Sequence, residues 1–290
     1  MGSVSGAGRA VTETYASISG GGPAITYLAG GAAALDVRCR VVGWSGASAG
    51  AIVAACKAFG VPDETIQRLL VDVLSTGQAL SPGVGNLPRA GLFDLDTIGD
   101  LIDVHIGKGA RLGDATSALV VCVSDLDRRR PVYLGKLTTP RVLVREAVIA
   151  SSSFMCGVTP AAVIPSLGTD LSPDIRLWGD GGLTDNTVDG VWDHKAEPRV
   201  ALRLTPRHEV TRLRPGDVAG ILAALPVCLM WGASNWKSRR MDGCDVDVAG
   251  ANDWSFRKDE ARVMREWVAG YDDVGVQVDA WIKRRKDAGS

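Results

Sequence analysis

Two short units near the N-terminus constrain the fold more than any other feature of this chain. Thr14 to Ser19 is a run of strand character that enters Gly20-Gly21-Gly22, and Ala24 to Leu35 follows as a helix of small residues. Val37 to Trp44 repeats the strand, Gly46 to Gly50 the sharp turn, and Ala51 to Phe59 the tightly packed helix. Strands that alternate with helices in this way predict a parallel or mixed sheet covered on both faces.

Downstream the alternation continues. Residues 64–75 predict an amphipathic helix, Ser75 to Gly91 a Gly/Pro-rich, lid-like loop, and Leu95 to Ile106 another helix. Ala118 to Ser124 and Pro131 to Leu134 read as a strand pair, Arg141 to Ser151 as a helix, and Ile175 to Trp178 and Arg199 to Leu204 as strands. From Gly216 the chain reads as mostly helical and carries five of the eight tryptophans. The 290 residues contain nothing that looks like a linker, so we expect a flexible tail over 1–10 and a single domain over 11–290.

Charge and composition exclude several functions. With 32 Lys+Arg against 33 Asp+Glu the chain lacks the basic face that a nucleic-acid binder needs, and its Arg/Lys runs at 128–130 and 283–286 read as solvated surface. The first ten residues have no apolar core of signal-peptide length, and Gly6 stands where a myristoylation signal requires Ser or Thr. The six cysteines form no C-x-x-C pair and mostly lie in apolar runs, as buried reduced thiols do; a cytoplasmic setting is expected. The longest apolar stretch, Val218 to Trp231, is interrupted by Pro226 and falls short of the roughly 20 residues that cross a bilayer.

The sharpest chemical signal is Gly46-Ala47-Ser48-Ala49-Gly50, a G-x-S-x-G between a strand and a helix, which is the context of a nucleophile elbow. Ser48 is the candidate nucleophile, with the following helix presenting unpaired N–H groups near its hydroxyl. The same pentapeptide also suits a plain strand-to-helix turn. Gly20, Gly21 and Gly22, one unit earlier, can aim backbone donors at an oxyanion, or can simply let a strand and a helix cross closely. They do not form a dinucleotide fingerprint, because position 25 is Ile25, and no G-K-[ST] occurs. For a base, the three histidines His105, His194 and His208 suit surface positions better than catalytic ones. Asp180, in Trp178-Gly179-Asp180-Gly181-Gly182-Leu183, is a carboxylate at the end of an apolar strand with glycines that leave room for a partner. Its alternative is the cap of a glycine turn.

Together these residues resemble the patatin-like lipid acyl hydrolases, a family with a Ser–Asp dyad. Ser19 to Gly22 is similar to the family's oxyanion loop, Gly46 to Gly50 to its elbow, and Asp180-Gly181-Gly182 with Asn186 and Val188 to its D-G-G/A block, in the family's order. Weaker similarities are Gly91 to Asp94, Ser124-Asp125-Leu126, Ala150 to Ser153 and Gly270-Tyr271. The resemblance implies a three-layer α/β/α fold with a central, mainly parallel sheet. It also implies Ser48 and Asp180 as the dyad, Gly20 to Gly22 as the oxyanion hole, and neither metal nor cofactor. One departure matters: the family places Arg or Lys two residues after the third glycine and then Gly, where this chain has Ala24 and Ile25 after Pro23. Asp36, Arg38 and Arg40 are charged residues that lie nearby in sequence.

The function so implied is hydrolysis of fatty-acyl esters of phospholipids, lysophospholipids or glycerides. The 218–231 segment reads as a core helix; its alternative is a peripheral membrane contact, apolar side down, with Trp231 and Trp236 at its end and Lys237, Arg239 and Arg240 at the head groups. Two competing functions are a catalytically silent or partner-gated binding module, and a small-molecule esterase using His194 or His208 as base.

Overall fold

A computed structural model describes residues 12–76, 81–82, 93–154, 164–167, 177–206, 244–250 and 257–288. Outside them lie the tail at 1–10, most of the lid-like loop, His208, Cys156, Cys228 and the 218–231 segment with Trp231, Trp236, Lys237, Arg239 and Arg240. The strands are β1 (Glu13–Ile18), β2 (Arg40–Ala47), β3 (Ser81–Pro82), β4 (Phe93–Asp94), β5 (Ala118–Asp125), β6 (Arg130–Gly135), β7 (Trp178–Asp180), β8 (Arg199–Pro206) and β9 (Cys244–Gly250). The helices are α1 (Ile25–Arg38), α2 (Ala49–Ala58), α3 (Asp63–Thr76), α4 (Asp96–Ile102), α5 (Val144–Ser151) and α6 (Glu260–Ala288).

Among the described residues, seven strands form one sheet in the order β6-β5-β2-β1-β8-β9, with β7 also on β5. The pairs β2–β5, β2–β1, β1–β8 and β8–β9 are parallel, and only β6 and β7 run antiparallel to β5. This is the mixed, mainly parallel sheet flanked by helices of a three-layer α/β/α fold. The period of two along the strands separates its faces. Ala16 and Ile18 of β1, Trp44 of β2, and Leu119, Val121 and Val123 of β5 face the main core with α1, α2 and α5. Ala47 and Cys122 face the other way, against Val188. There too Tyr15 stacks on Trp192, and the Trp192 indole N–H donates to Ser45 Oγ at 3.0 Å.

The structure moves some predicted boundaries. The second strand starts at Arg40 instead of Val37, because α1 runs on to Arg38 with Val37 on its solvent side, and the Cys39 N–H closes the helix on the Leu35 carbonyl. The short strand expected over 175–178 is Trp178–Asp180, which puts Asp180 inside the sheet. In the tail expected to be mostly helical, Cys244–Gly250 pairs as a parallel edge strand on β8, with Val246 and Val248 buried on alternate positions. Cys39, Cys56 and Cys122 are buried and in no disulfide, and burial pushes the first two up to about 11 and about 12. Among the described residues no helix is long and apolar enough to cross a membrane.

Candidate active site

β2 and β7 meet end to end along one edge of β5. β2 runs parallel to β5 until Ala47 stands opposite Cys122; β7 runs antiparallel and stops with Asp180 opposite Val123, the next residue. Ser48 and Asp180 therefore emerge into the same gap from opposite directions. This is how two distant motifs come together.

Ser48 occupies a backbone conformation that L residues rarely adopt, φ 53° and ψ −125°, between the end of β2 and the first turn of α2. Neighbours hold it there. Its N–H donates to Ser151 Oγ at 2.9 Å, and the Ser151 hydroxyl donates to the Cys122 carbonyl at 2.6 Å. Gly50 lets α2 pack onto the end of β1, since a Cβ there would lie 2.2 Å from the Ile18 carbonyl oxygen. The elbow is thereby pressed against the strand that leads into Gly20.

Asp180 is 1% exposed and anchored through every polar atom of its backbone. Its N–H donates to the Ser153 carbonyl at 2.8 Å, and its carbonyl accepts from Ser124 Oγ at 2.7 Å. Oδ1 accepts the Gly182 N–H at 2.7 Å. A Cβ on Gly181 would lie 2.1 Å from the Cys122 carbonyl oxygen, so only glycine lets the turn close onto β5. Burial pushes the carboxyl up to about 7, against the opposing pull of hydrogen bonds from the Ser48 hydroxyl and the Gly182 N–H. Ser48 is itself buried, at 8% exposure.

The glycine loop is tied to the same framework. Ser19 donates its N–H to Leu202 and accepts the Leu204 N–H on its hydroxyl, each at 3.0 Å. The Gly20 N–H donates to the Asn186 carbonyl at 3.0 Å, so it is engaged and is not a donor for a substrate oxygen. The N–H groups of Gly21 and Gly22 have no acceptor among the described residues. Gly22 has φ 50°, and the Ala24 N–H closes the turn on the Gly21 carbonyl. The segment after Asp180 braces the loop and β2: Val188, at φ 55°, accepts Ser45 Oγ on its carbonyl at 2.9 Å, and its N–H donates to Asp185 Oδ1 at 3.2 Å. Tyr133 donates to Asp185 at 2.6 Å.

The structure thus brings together Ser48, Asp180 and the glycine loop, and leaves His105 and His194 apart; His208 lies outside the described residues. His194 is exposed and His105 sits half-buried in the turn after α4. The charged residues singled out near the loop in sequence are engaged elsewhere: Asp36 with Lys57, Arg38 with Asp279, and Arg40 with Glu13. Among the described residues there is no cluster of His, Cys, Asp or Glu that suits a metal ion. Sequence reading missed how Ser151, Ser124, Asn186 and Asp185 support the site. Ser124 and Ser151 stand in runs that the resemblance marked, whereas nothing local singles out Asp185.

Comparison with known proteins gives the class. The model of the patatin-like phospholipase family matches residues 16–189, a span that includes both Ser48 and Asp180. This chain belongs to that family, and its class is that of lipid hydrolases. Among solved structures it is similar to VipD from Legionella pneumophila, with a TM-score of 0.55 and 15% identity over 93% of this chain. Two others are the type III effector protein ExoU (TM-score 0.45, 14% identity, 92% of this chain) and the ExoU-SpcU heterodimeric complex from Pseudomonas aeruginosa (0.43, 14%, 93%). The chain covers 67%, 53% and 51% of those three chains. No curated protein matches it.

Proposed function

We propose that this protein is a lipid acyl hydrolase of the phospholipase A or lysophospholipase type, cleaving fatty-acyl esters with Ser48 as nucleophile and Asp180 as its base. The observation that carries the reading is a buried Asp180, its carboxyl pushed up to about 7, hydrogen-bonded to a serine hydroxyl in a strained elbow. An ordinary aspartate, near 3.9, is too weak a base for a hydroxyl; one near 7 is more basic, and about half of it is deprotonated at neutral pH.

In the cycle, Asp180 takes the Ser48 proton as Oγ attacks the ester carbonyl carbon. The Gly21 and Gly22 N–H groups, with the N-terminus of α2, receive the oxyanion. The intermediate collapses, Asp180 returns the proton to the departing alcohol, and an acyl-Ser48 ester remains. Asp180 then takes a proton from water, whose oxygen attacks the acyl carbon, and returns it to the departing Ser48 Oγ as the fatty acid is released. Gly20 serves as an anchor through Asn186. The family match supports a fatty-acyl ester of a lipid as substrate. A peripheral membrane contact through the 218–231 segment belongs to the same proposal.

The test is release of fatty acid from mixed phospholipid vesicles and of p-nitrophenol from a soluble ester, with wild type, Ser48→Ala and Asp180→Asn, folding checked by circular dichroism. The reading expects wild-type turnover and loss of turnover in both folded variants. Turnover that survives Asp180→Asn but is lost on substitution of His194 or His208 favours a histidine-based esterase. A folded wild type inert on both substrates favours a silent or gated binding module.

A further inference from the structure

Lys258 is a lysine buried to 2% exposure, two residues before α6. Its ammonium donates to the Pro23 carbonyl at 2.6 Å and to the carboxylate of Glu266. Glu266, 3% exposed, also accepts the Thr26 hydroxyl at 2.5 Å and Arg262 Nε at 3.0 Å. The Lys258 N–H donates to the Leu74 carbonyl at 2.9 Å. A lysine on a surface could pair with Glu266 without losing its hydration, and burying an ammonium is unfavourable unless it is paired and fully bonded. Here the buried charge is directed at one backbone carbonyl of the glycine loop's exit.

The packing of α6 explains how a residue so distant in sequence arrives there. A Cβ on Gly30 of α1 would lie 2.1 Å from the Trp267 carbonyl oxygen, and one on Gly270 of α6 the same distance from that of Tyr27. The two helices touch backbone to backbone at two glycines, which fixes α6 along α1. The chain just before α6 is thereby delivered to the first turn of α1, where Thr26 and Pro23 meet Glu266 and Lys258. Pro23 directly follows Gly22, and neither Ala24 nor Ile25 brings a charge to the loop.

We infer that Lys258 is the positioning residue of the glycine loop: held by Glu266, it binds the Pro23 carbonyl from behind and so keeps the Gly21 and Gly22 N–H groups turned toward the site of the oxyanion. The inference rests on the proposed role of Ser48 and the loop. It makes α6 and the residue that precedes it part of the hydrolytic apparatus.

The experiment uses the full chain, a p-nitrophenyl ester as substrate, and a fluorophosphonate incubated to its end point to count reactive serines. Three proteins are compared: wild type, Lys258→Met, and Lys258→Met/Glu266→Gln, which removes the buried carboxylate charge that the single change would strand. Because an oxyanion hole acts on the transition state, both variants should lose about tenfold or more in kcat per labelled site, with KM within about twofold of wild type. The double variant should melt near the wild-type temperature and still show the lower kcat. A double variant with wild-type kcat per labelled site, or a change confined to KM, would make Lys258 a stabilising contact and overturn the inference while leaving Ser48 in place. A wild type that takes up no label at Ser48 would overturn the underlying reading, and the inference with it.

Discussion

Asp180→Asn should stabilise this protein above neutral pH and leave its stability nearly unchanged in acid. The folded carboxyl sits at about 7 and an ordinary one at 3.8, with burial as the main cause. Between those values the folded chain holds a proton that the unfolded chain has released, so stability falls as pH rises through the window. The penalty is absent below about 3.8 and complete above about 7. At about 1.4 kcal/mol per pH unit, the window amounts to about 4 kcal/mol, which is a ceiling. Asparagine keeps the shape and an Oδ1 for the Gly182 N–H, but it has no charge to bury. Urea denaturation of both proteins at pH 4 and pH 8 isolates the effect, because every other titrating group is common to the two. The expected result is a gain of up to about 4 kcal/mol at pH 8 and a difference within about 0.5 kcal/mol at pH 4. An equal change at both pH values, or a loss at pH 8, would refute the argument that Asp180 carries a buried charge.

Three further outcomes follow from the same geometry. For a soluble ester, kcat/KM should rise about tenfold per pH unit up to about pH 7 and then level off, as Asp180 becomes the base; a flat profile from pH 5 to 8 would contradict that role. Ser151→Ala removes the acceptor of the Ser48 N–H and the donor to the Cys122 carbonyl, and should cost about 1–3 kcal/mol by urea melt together with a lower kcat; unchanged values of both would show that the elbow is held some other way. Gly50→Ala should lower the melting temperature and reduce activity, since its Cβ would meet the Ile18 carbonyl oxygen at 2.2 Å, and a wild-type melting curve would contradict the packing.

Much of this was legible in the sequence because the signals are local. The first two strand–glycine–helix units announce themselves through apolar runs, small helical residues and glycine turns, and β5 and β6 through two neighbouring strand patterns. The class of fold follows from that alternation. What depends on pairing between distant segments was not legible. β9 is hidden because Cys244, Asp245, Asp247 and Gly250 have weak strand character, and only the partner β8 makes a strand of them. The engagement of the Gly20 N–H depends on Asn186, and the end-to-end meeting of β2 and β7 on β5 appears only once the sheet is assembled. Lys258 had no local signal at all: a lysine in a polar stretch reads as surface, and the glycines that bring α6 against α1 show their purpose only in contact.

The central claim is that Ser48, activated by Asp180, forms a covalent acyl-enzyme. Its most direct test is mass-spectrometric mapping of the protein after brief exposure to an alkyl fluorophosphonate at pH 8, with wild type, Ser48→Ala and Asp180→Asn side by side. The account predicts one adduct per chain, on the peptide that contains Ser48, absent from Ser48→Ala and formed far more slowly in Asp180→Asn. An adduct on any other serine, or labelling of Asp180→Asn at the wild-type rate, would contradict it.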